Sequence, residues 1–286
     1  MPTTIAIVAP GAMGSAVARR LNEHGARVLT SLAGRSAATM QRASAAGMIA
    51  ASDAEIVHAD ILLSIVPPGE ATALAQRLAA AVANEGTKPI IVDCNAVNVA
   101  TVENVAAIVA GSGARFVDGG IIGLPPKPGI KGPRFYVCGE HAGALAALRD
   151  LGLDLRLVDG PIGSASALKM SYAGINKGLT ALGAAMALAA TRAGAAEAVR
   201  DELAESQPQT LARLATALPD MIPKAYRWVA EMREIAGFLG PDDPANLIFE
   251  GAARLFEHIA TEKDEGGTDI DRITAFAEMA RQPTKS

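Results

Sequence analysis

The stretch that decides the fold reads IAIVAPGAMG and occupies residues 5–14. Its first four residues form an apolar run with β-branched side chains, which is typical of a buried strand. Pro10 and Gly11 then break the strand, and Gly14 follows Gly11 at a spacing of three. An alanine-containing helical pattern comes next. The sequence therefore predicts a strand, a tight turn and the start of a helix.

This turn has the pattern AxGxxG, with Ala9 in the place of a first glycine. Glycine is needed where a backbone approaches a pyrophosphate and where a helix packs closely on a strand. The N-terminus of the helix then offers N–H groups and partial positive charge to the phosphates. We predict that Gly11, Ala12, Met13 and Gly14 bind a dinucleotide cofactor. A glycine-rich turn without a ligand is the alternative.

The first half of the chain alternates between two kinds of pattern. Apolar runs rich in β-branched residues occur at 4–8, 27–32, 61–66, 89–93, 115–122 and 134–138, mostly separated by alanine- and leucine-rich helical segments. Strands that alternate with helices indicate a parallel sheet covered on both faces. We predict an α/β Rossmann domain with a doubly wound parallel sheet over residues 1–160.

Strand signals stop near residue 163. Helical patterns then follow at about 163–192, 195–206, 208–217, 223–239 and 244–260, interrupted by prolines. We predict an all-α domain over residues 161–286 that serves substrate binding and dimerisation. This boundary rests only on the change from strand-like to helical spacing of the apolar residues.

The composition excludes several classes of partner. The formal net charge of -4 gives no basic field for nucleic acid. The most apolar stretch has 12 residues, at 179–190, short of the ~20 that span a bilayer. Two cysteines without a CxxC pair suit a reducing cytoplasm, and no signal peptide is visible. The four histidines lack metal-ligand spacing, so no metal is predicted.

The end of the second strand bears on cofactor choice. NAD enzymes usually place Asp or Glu there to bind the ribose hydroxyls. No acidic residue lies between residues 27 and 35, and Arg35, Ser36 and Thr39 follow instead. A guanidinium with hydroxyls suits a 2′-phosphate, which a carboxylate would repel. NADP is therefore favoured over NAD, with a solvated arginine at the helix start as the alternative.

Two later strand ends suit the nicotinamide half of the cofactor. Val66 and Pro67 end one strand, and Asn95 follows another with an amide that both donates and accepts. Ligands bind at the carboxyl ends of strands in this architecture. We predict cofactor contacts at all three residues, although each is also compatible with turn chemistry alone.

The long helix from residue 163 carries a polar face. Lys169, Tyr172, Ala173 and Asn176 fall at i, i+3, i+4 and i+7, which is one side of a helix. Burial lowers the pKa of a lysine, so this amine can exchange protons near neutral pH. We predict Lys169 as the catalytic acid/base, with Tyr172 and Asn176 assisting, and Lys177 at the surface. The alternative is a lysine that reaches to solvent.

Together these motifs resemble the β-hydroxyacid dehydrogenase superfamily, which includes 6-phosphogluconate dehydrogenase, 3-hydroxyisobutyrate dehydrogenase and imine reductases. The order of the motifs is similar over nearly the whole first half and ends with a lysine on a long helix. The motifs are AMG at 12–14, VPP at 66–68, DGGIIG at 118–123 and GSASALK at 163–169. Residues 224–232, KAYRWVAEM, look like an uncharacterised branch with a phosphogluconate-dehydrogenase-like C-terminal domain.

The sequence departs from this family at its polar substrate contacts. Ile122 stands where the family has serine, and Ala173 where it has asparagine. The family's later Lys-Asp pair is matched at best by residues 231–232. The resemblance therefore implies a larger and less polar substrate. The residues predicted to contact it are Ile121, Ile122, Gly123, Trp228 and Met232, with core packing as the alternative for the last two.

The resemblance implies an NADP-dependent oxidoreductase that acts on a carbonyl or alcohol and binds a small-molecule substrate. It also implies a homodimer, because relatives close their active sites with a partner's helices. The cysteine usage and the lack of a visible signal peptide predict a cytoplasmic protein. An imine reductase is the second interpretation, and Lys169 argues against it because such enzymes commonly lack this lysine. A non-catalytic NADPH-binding sensor or scaffold is the third.

Overall fold

The computed structural model describes residues 2–127, 129–130 and 132–282. The chain forms two compact units, Met1–Met170 and Ser171–Ser286. The change of period in the sequence predicts a boundary near residue 160. The units divide ten residues later because the first turns of a long helix that starts at Ser164 are bonded to the strands of the first unit.

The first unit contains an eight-stranded sheet in the order β3-β2-β1-β4-β5-β6-β7-β8. Strands β1 to β6 are parallel, β7 runs antiparallel to β6, and β8 is parallel to β7. The strands are β1 (Thr4–Val8), β2 (Arg27–Ser31), β3 (Ile49–Ala51), β4 (Ile61–Ser64), β5 (Ile90–Asp93), β6 (Arg115–Ile122), β7 (Arg134–Cys138) and β8 (Asp154–Leu157).

Helices cover both faces of this sheet. Along β1, Ile5 and Ile7 belong to one apolar cluster, and Ala6 and Val8 belong to the other. This division follows from the two-residue period of a strand. The helices of the first unit are α1 (Ala12–Glu23), α2 (Ala37–Ala45), α3 (Asp53–Ile56), α4 (Ala71–Glu85), α5 (Val99–Gly111) and α6 (Ala147–Asp150). The predicted Rossmann architecture is confirmed.

Among its described residues, the second unit contains only helices and the short segments that connect them. Its first helix, α7, begins in the preceding unit and runs through the division. The helices are α7 (Ser164–Arg192), α8 (Ala196–Ser206), α9 (Pro208–Met221), α10 (Ala225–Leu239), α11 (Asn246–Glu265) and α12 (Thr268–Met279). The predicted all-α C-terminal region is confirmed. Among the helices that the structure describes, none is long and apolar enough to cross a membrane.

Helix α9 runs four residues past its predicted end at residue 217 and contains Pro219. A proline inside a helix leaves the carbonyl four residues earlier without its N–H donor. That carbonyl belongs to Ala215, and Arg281 donates to it at 2.8 Å. A distant side chain therefore replaces the missing helical hydrogen bond.

Candidate functional site

The glycine turn joins β1 to α1 at the carboxyl edge of the parallel strands. A Cβ atom on Gly14 would overlap the Ala9 carbonyl oxygen, so the close packing of helix on strand requires glycine there. Within the described chain, no protein acceptor meets the backbone N–H groups of Ala12, Met13 and Gly14. The first turn of α1 also carries no acidic side chain. These N–H groups form an anion-binding helix start.

A basic cluster follows the end of β2. Ser36 caps α2, and its hydroxyl accepts from the Thr39 N–H at 3.3 Å. Arg42 donates from Nε to the Pro10 carbonyl at 3.0 Å and from Nη2 to Thr39 Oγ1 at 3.2 Å. The Arg35 side chain is half-buried and makes no hydrogen bond or ion pair with any other residue that the structure describes. Arg42 therefore contacts the glycine turn directly, and no acidic residue lies between Arg35 and Arg42 in the sequence.

Arg42 is a further candidate residue, which the sequence motifs do not single out. The side chain links α2 to the phosphate turn, since it bonds Pro10 directly before Gly11. Its position three residues after Thr39 could have indicated this role, because residues three apart on a helix are neighbours. Arg42 consequently joins Arg35, Ser36 and Thr39 as a candidate cofactor residue.

Asn95 is buried between the ends of β4 and β5. Its side-chain amide donates to Ser64 Oγ and to Asp93 Oδ2, both at 2.8 Å, and its Oδ1 accepts from the Val66 N–H at 2.7 Å. Both amide hydrogens are therefore used inside the protein. Asn95 therefore fits a positioning role better than a direct cofactor contact. It holds the backbone of Val66 in place, and the next residue, Pro67, is exposed at the surface.

Asp93 completes this network. Burial raises the pKa of its carboxyl group to about 6, against the hydrogen bonds from Asn95, which lower it. The folded pKa lies above the ordinary value, so the folded state holds a proton there more strongly than the unfolded state does. Asp93 therefore makes folding less favourable as the pH rises from about 4 to about 6.

Asp118 is a fully buried carboxylate in the middle of β6. Its Oδ2 accepts the backbone N–H groups of Gly163 at 2.9 Å and of Ala165 and Ser166 at 3.1 Å, while Oδ1 accepts the Ser166 hydroxyl at 2.7 Å. These groups belong to the start of α7, whose partial positive charge favours a carboxylate. Asp118 thus anchors the helix that carries Lys169.

The Cys138 thiol also donates to Asp118, at 3.1 Å. Burial, followed by the Asp118 charge, raises the pKa of Cys138 to about 12. Burial likewise raises the pKa of the Cys94 thiol well above its ordinary value. Both cysteines are buried thiols near neutral pH, which makes them poor nucleophiles.

Gly120 allows α7 to approach β6, and Gly119 allows the end of β5 to lie close to β6. A Cβ on Gly120 would lie 3.0 Å from the Ala165 carbonyl oxygen and 3.2 Å from Lys169 Cβ, and a Cβ on Gly119 would lie 2.9 Å from the Asp93 carbonyl oxygen. Lys169 is half-buried, and its Nζ donates to the Ile121 carbonyl at 2.5 Å. The lysine head group therefore lies at the carboxyl end of β6, on the edge of the sheet that holds the glycine turn.

The predicted substrate segment follows directly. The Ile121 and Ile122 side chains are buried, and Gly123 has a φ of 127°, which favours glycine. Within this segment, the backbone carbonyl of Ile121 accepts the hydrogen bond from Lys169 Nζ. Leu124, the next residue, is exposed.

The remaining predicted residues lie in the helical unit. Tyr172 is exposed, and Asn176 donates to the Tyr172 carbonyl at 2.9 Å and accepts from Arg213 at 2.9 Å. Lys177, predicted at the surface, is largely buried and forms an ion pair with Glu231. Burial lowers the pKa of Lys177, although the Glu231 charge opposes that shift.

Trp228 and Met232 pack in the helical unit as core residues do. Met232 is fully buried, and the Trp228 ring meets Phe256 edge to face at 5.3 Å between centroids. The Lys177 ammonium lies 5.1 Å from the centre of the same ring. The structure favours core packing for both residues, and we no longer assign Met232 a substrate contact because its side chain is enclosed.

Comparisons with solved structures agree with this architecture. A conserved protein of unknown function, described as structurally similar to 3-hydroxyacid dehydrogenases, is 26% identical, with a TM-score of 0.69 over 92% of this chain and 99% of that one. A conserved hypothetical protein from Sinorhizobium meliloti 1021 is 27% identical, with a TM-score of 0.73 over 98% and 96%. A 3-hydroxyisobutyrate dehydrogenase from Salmonella typhimurium shares the fold at 19% identity, a TM-score of 0.66 and coverage of 96% and 99%.

Family models match both parts of the sequence, whereas no curated protein matches the chain. Residues 190–259 match a domain of unknown function, DUF1932. Residues 4–149 match the NAD binding domain of 6-phosphogluconate dehydrogenase, which is just over half of the 286 residues. The chain therefore belongs to the 6-phosphogluconate dehydrogenase-like superfamily of NAD(P)-dependent oxidoreductases.

Proposed function

We propose that this oxidoreductase uses NADP to transfer hydride between the nicotinamide and a carbonyl or alcohol substrate, with Lys169 as the general acid/base. The observation that carries the proposal is the position of the Lys169 amine, 2.5 Å from the Ile121 carbonyl at the carboxyl edge of the sheet. Ligands of doubly wound sheets bind at that edge. The likeness to a protein described as similar to 3-hydroxyacid dehydrogenases supports the reaction class.

The glycine turn fits a pyrophosphate. Its three N–H groups meet no acceptor within the described chain, and an anion supplies acceptors and satisfies the helix dipole. Gly11, Ala12, Met13 and Gly14 would hold the phosphates, and the Val66 and Pro67 backbone would border the nicotinamide half. Asn95 would position Val66 without touching the cofactor.

The basic cluster after β2 supports NADP over NAD. Arg35, Ser36, Thr39 and Arg42 offer two guanidinium groups and two hydroxyls. Guanidinium groups form short, charge-assisted bonds with phosphate. No acidic residue from 24 to 52 competes for them or repels a 2′-phosphate.

NADPH should accordingly bind more tightly than NADH, and Arg35→Ala should narrow that difference about 10- to 150-fold. A hydrogen bond to a charged group contributes about 1.5–3 kcal/mol, and each ~1.4 kcal/mol is tenfold in affinity. Fluorescence titration of both cofactors measures the two dissociation constants. Arg27→Ala is the control, because that exposed arginine lies at the opposite end of β2. Equal affinity of the wild-type protein for the two cofactors would rule out the NADP assignment.

When bound, the nicotinamide supplies or accepts the hydride. Reduction of a carbonyl also needs a proton on oxygen, and oxidation of an alcohol needs its removal. The Lys169 ammonium can donate that proton, and its neutral amine can accept one. The Ile121 carbonyl orients Nζ, and Asp118 fixes the start of α7, so the protein holds the proton carrier in place.

Tyr172 is the alternative proton carrier if Lys169 does not fill that role. Asn176 fits a positioning role better than a catalytic one. The Asn176 amide is bonded to the Tyr172 carbonyl and to Arg213, which hold it in the helical unit. Loss of this amide should alter KM more than the chemical step.

A panel of hydroxyacids, aldehydes and cyclic imines, assayed for oxidation or formation of NADPH, tests the reaction class. Turnover of aldehydes or hydroxyacids supports the proposal. Turnover of imines alone would indicate an imine reductase. Tight NADPH binding without any turnover would indicate a sensor or scaffold.

We also propose a homodimer, formed through an exposed apolar face of the helical unit. Large apolar side chains on α7 and α11 are exposed, and an apolar groove of about 250 Å³ lies between these helices. Contiguous exposed apolar surface marks interaction sites. The exposed residues are Ile175, Leu179, Leu182, Met186, Leu247 and Ile248.

Sedimentation at micromolar concentration should show a dimer, and Leu182→Glu should convert it to a monomer. Placing a charge on a buried apolar interface carries a large desolvation cost. Leu157→Glu is the matched control, because Leu157 is similarly exposed but lies on β8 of the first unit. A wild-type protein that sediments as a stable monomer would refute the proposal.

A further inference from the structure

One histidine and two carboxylates converge where α11 meets α12. His258 and Glu262 are four residues apart on α11 and share a face, and Asp269 lies in the first turn of α12. His258 Nε2 is 3.1 Å from Asp269 Oδ2 and 3.5 Å from Glu262 Oε1, and the three ligand atoms all lie within 4.8 Å of one another. Ligands about 2.0–2.1 Å from a tetrahedral zinc ion stand roughly 3.3 Å apart. Two of the separations therefore match the edges of such a site.

The other oxygen of each carboxylate is already held by the protein. Glu262 Oε2 accepts the backbone N–H groups of Asp269 at 3.0 Å and Ile270 at 3.3 Å, and Asp269 Oδ1 accepts from Arg272 at 2.8 Å. A Cβ on Gly267 would overlap the Glu262 carboxylate, so glycine permits this approach. Such outer bonds orient metal ligands. They leave one oxygen of each carboxylate directed toward His258.

We propose that His258, Glu262 and Asp269 bind a divalent transition-metal ion, with zinc as the best match and water as the fourth ligand. A donor set of one imidazole nitrogen and two carboxylate oxygens suits zinc, whereas magnesium and calcium prefer oxygen alone. The His258 side chain is 48% exposed, which gives an ion access from solvent. The sequence predicts no metal here because Asp269 is brought to His258 only by the turn between two helices.

Arg192 competes with the metal for the same atom. Its guanidinium forms an ion pair with Asp269 Oδ2, and its side chain is 53% exposed, so it can turn outward. Burial alone would raise the pKa of Asp269, but hydrogen bonds from Arg272 and His258 and the Arg192 charge outweigh it and hold the pKa below its ordinary value. Arginine pairing and metal binding at Oδ2 exclude one another.

Calorimetric titration of the chelator-treated full chain with zinc tests the site. We expect one zinc ion per chain and a raised melting temperature with zinc. His258→Asn should weaken binding at least about 100-fold, since even outer-shell changes cost 10–100-fold. His58→Asn, which removes a second histidine paired with a glutamate, should leave zinc binding unchanged. Arg192→Gln should tighten binding, because it removes the competing cation.

Cobalt provides a readout that needs no variant. Wild-type protein loaded with cobalt should show the intense visible absorption of a four-coordinate site, and circular dichroism checks that each variant is folded. The proposal fails if zinc does not bind at one ion per chain, if His258→Asn binds it as tightly as the wild type, or if Arg192→Gln leaves the affinity unchanged. A weak, six-coordinate cobalt spectrum would also overturn it.

Discussion

Replacing Lys169 by methionine is expected to reduce kcat by about 10²–10⁴-fold while leaving NADPH binding almost unchanged. Loss of a positioned general acid/base costs that much in rate. Methionine keeps most of the apolar stem and a good helix propensity, so the fold should survive. The proposed phosphate contacts lie at α1 and α2, on other elements of the sheet edge. The measurement is kcat at saturating NADPH, with the cofactor dissociation constant from fluorescence titration.

The pH profile of the wild-type enzyme should contain a titration that Lys169→Met lacks. Lys88→Met is the matched control, because Lys88 is exposed just before β5, at the amino-terminal ends of the parallel strands and away from the glycine turn. If Lys169→Met keeps more than about a third of the wild-type kcat when the chemical step limits the rate, Lys169 is a structural lysine. Tyr172 would then be the next candidate for the proton carrier.

Asp118→Ala should destabilise the first unit by roughly 3–5 kcal/mol. The substitution removes the carboxylate that accepts from three buried N–H groups and from the Ser166 hydroxyl at the start of α7. The Ala165 N–H keeps the Cys138 sulfur as an acceptor at 3.2 Å, and each buried donor left unsatisfied costs about 1–3 kcal/mol. Partial relaxation of the helix end makes the total loss of stability smaller than the sum of these individual costs. Urea unfolding followed by circular dichroism measures the loss.

Two variants separate this anchoring role from a general effect of lost charge. Asp118→Asn keeps one carbonyl oxygen for the helix N–H groups, and its amide can donate to Ser166 Oγ, so it should cost clearly less than alanine. Asp159→Ala removes an exposed carboxylate from the loop before α7 and should change stability by no more than about 0.5 kcal/mol. Equal stability of Asp118→Ala and Asp159→Ala would contradict the role given to Asp118.

Long apolar runs predicted the central elements well. The runs at β1, β6 and β7 coincide with the observed strands, because continuous hydrophobicity marks strands buried on both faces. The strands β3 and β8 escaped prediction. They have three and four residues at the edges of the sheet, and their exposed positions carry little hydrophobic signal. Helix α9 was predicted too short because its proline is compensated by Arg281, far away in sequence.

The local parts of the candidate site were readable, and the long-range parts were not. The glycine turn, Arg35 and Lys169 stand within short motifs whose chemistry depends on neighbours in sequence. In the sequence, Asp118 stands out only as part of the DGGIIG motif, because its backbone hydrogen-bond donors lie 45 to 48 residues further on. The positioning role of Asn95 was not readable for the same reason, because the Ser64 hydroxyl that accepts from its amide lies 31 residues away in the sequence.

The most direct test of the central claim is a single-turnover reaction with NADPH that carries deuterium at the transferred position, using the best substrate from the panel. The proposed function predicts that the product carries deuterium on the former carbonyl carbon. It also predicts that Lys169→Met, with NADPH bound to the same extent, forms this product about 10²–10⁴-fold more slowly. Product without deuterium, or equal rates for the two proteins, would contradict it.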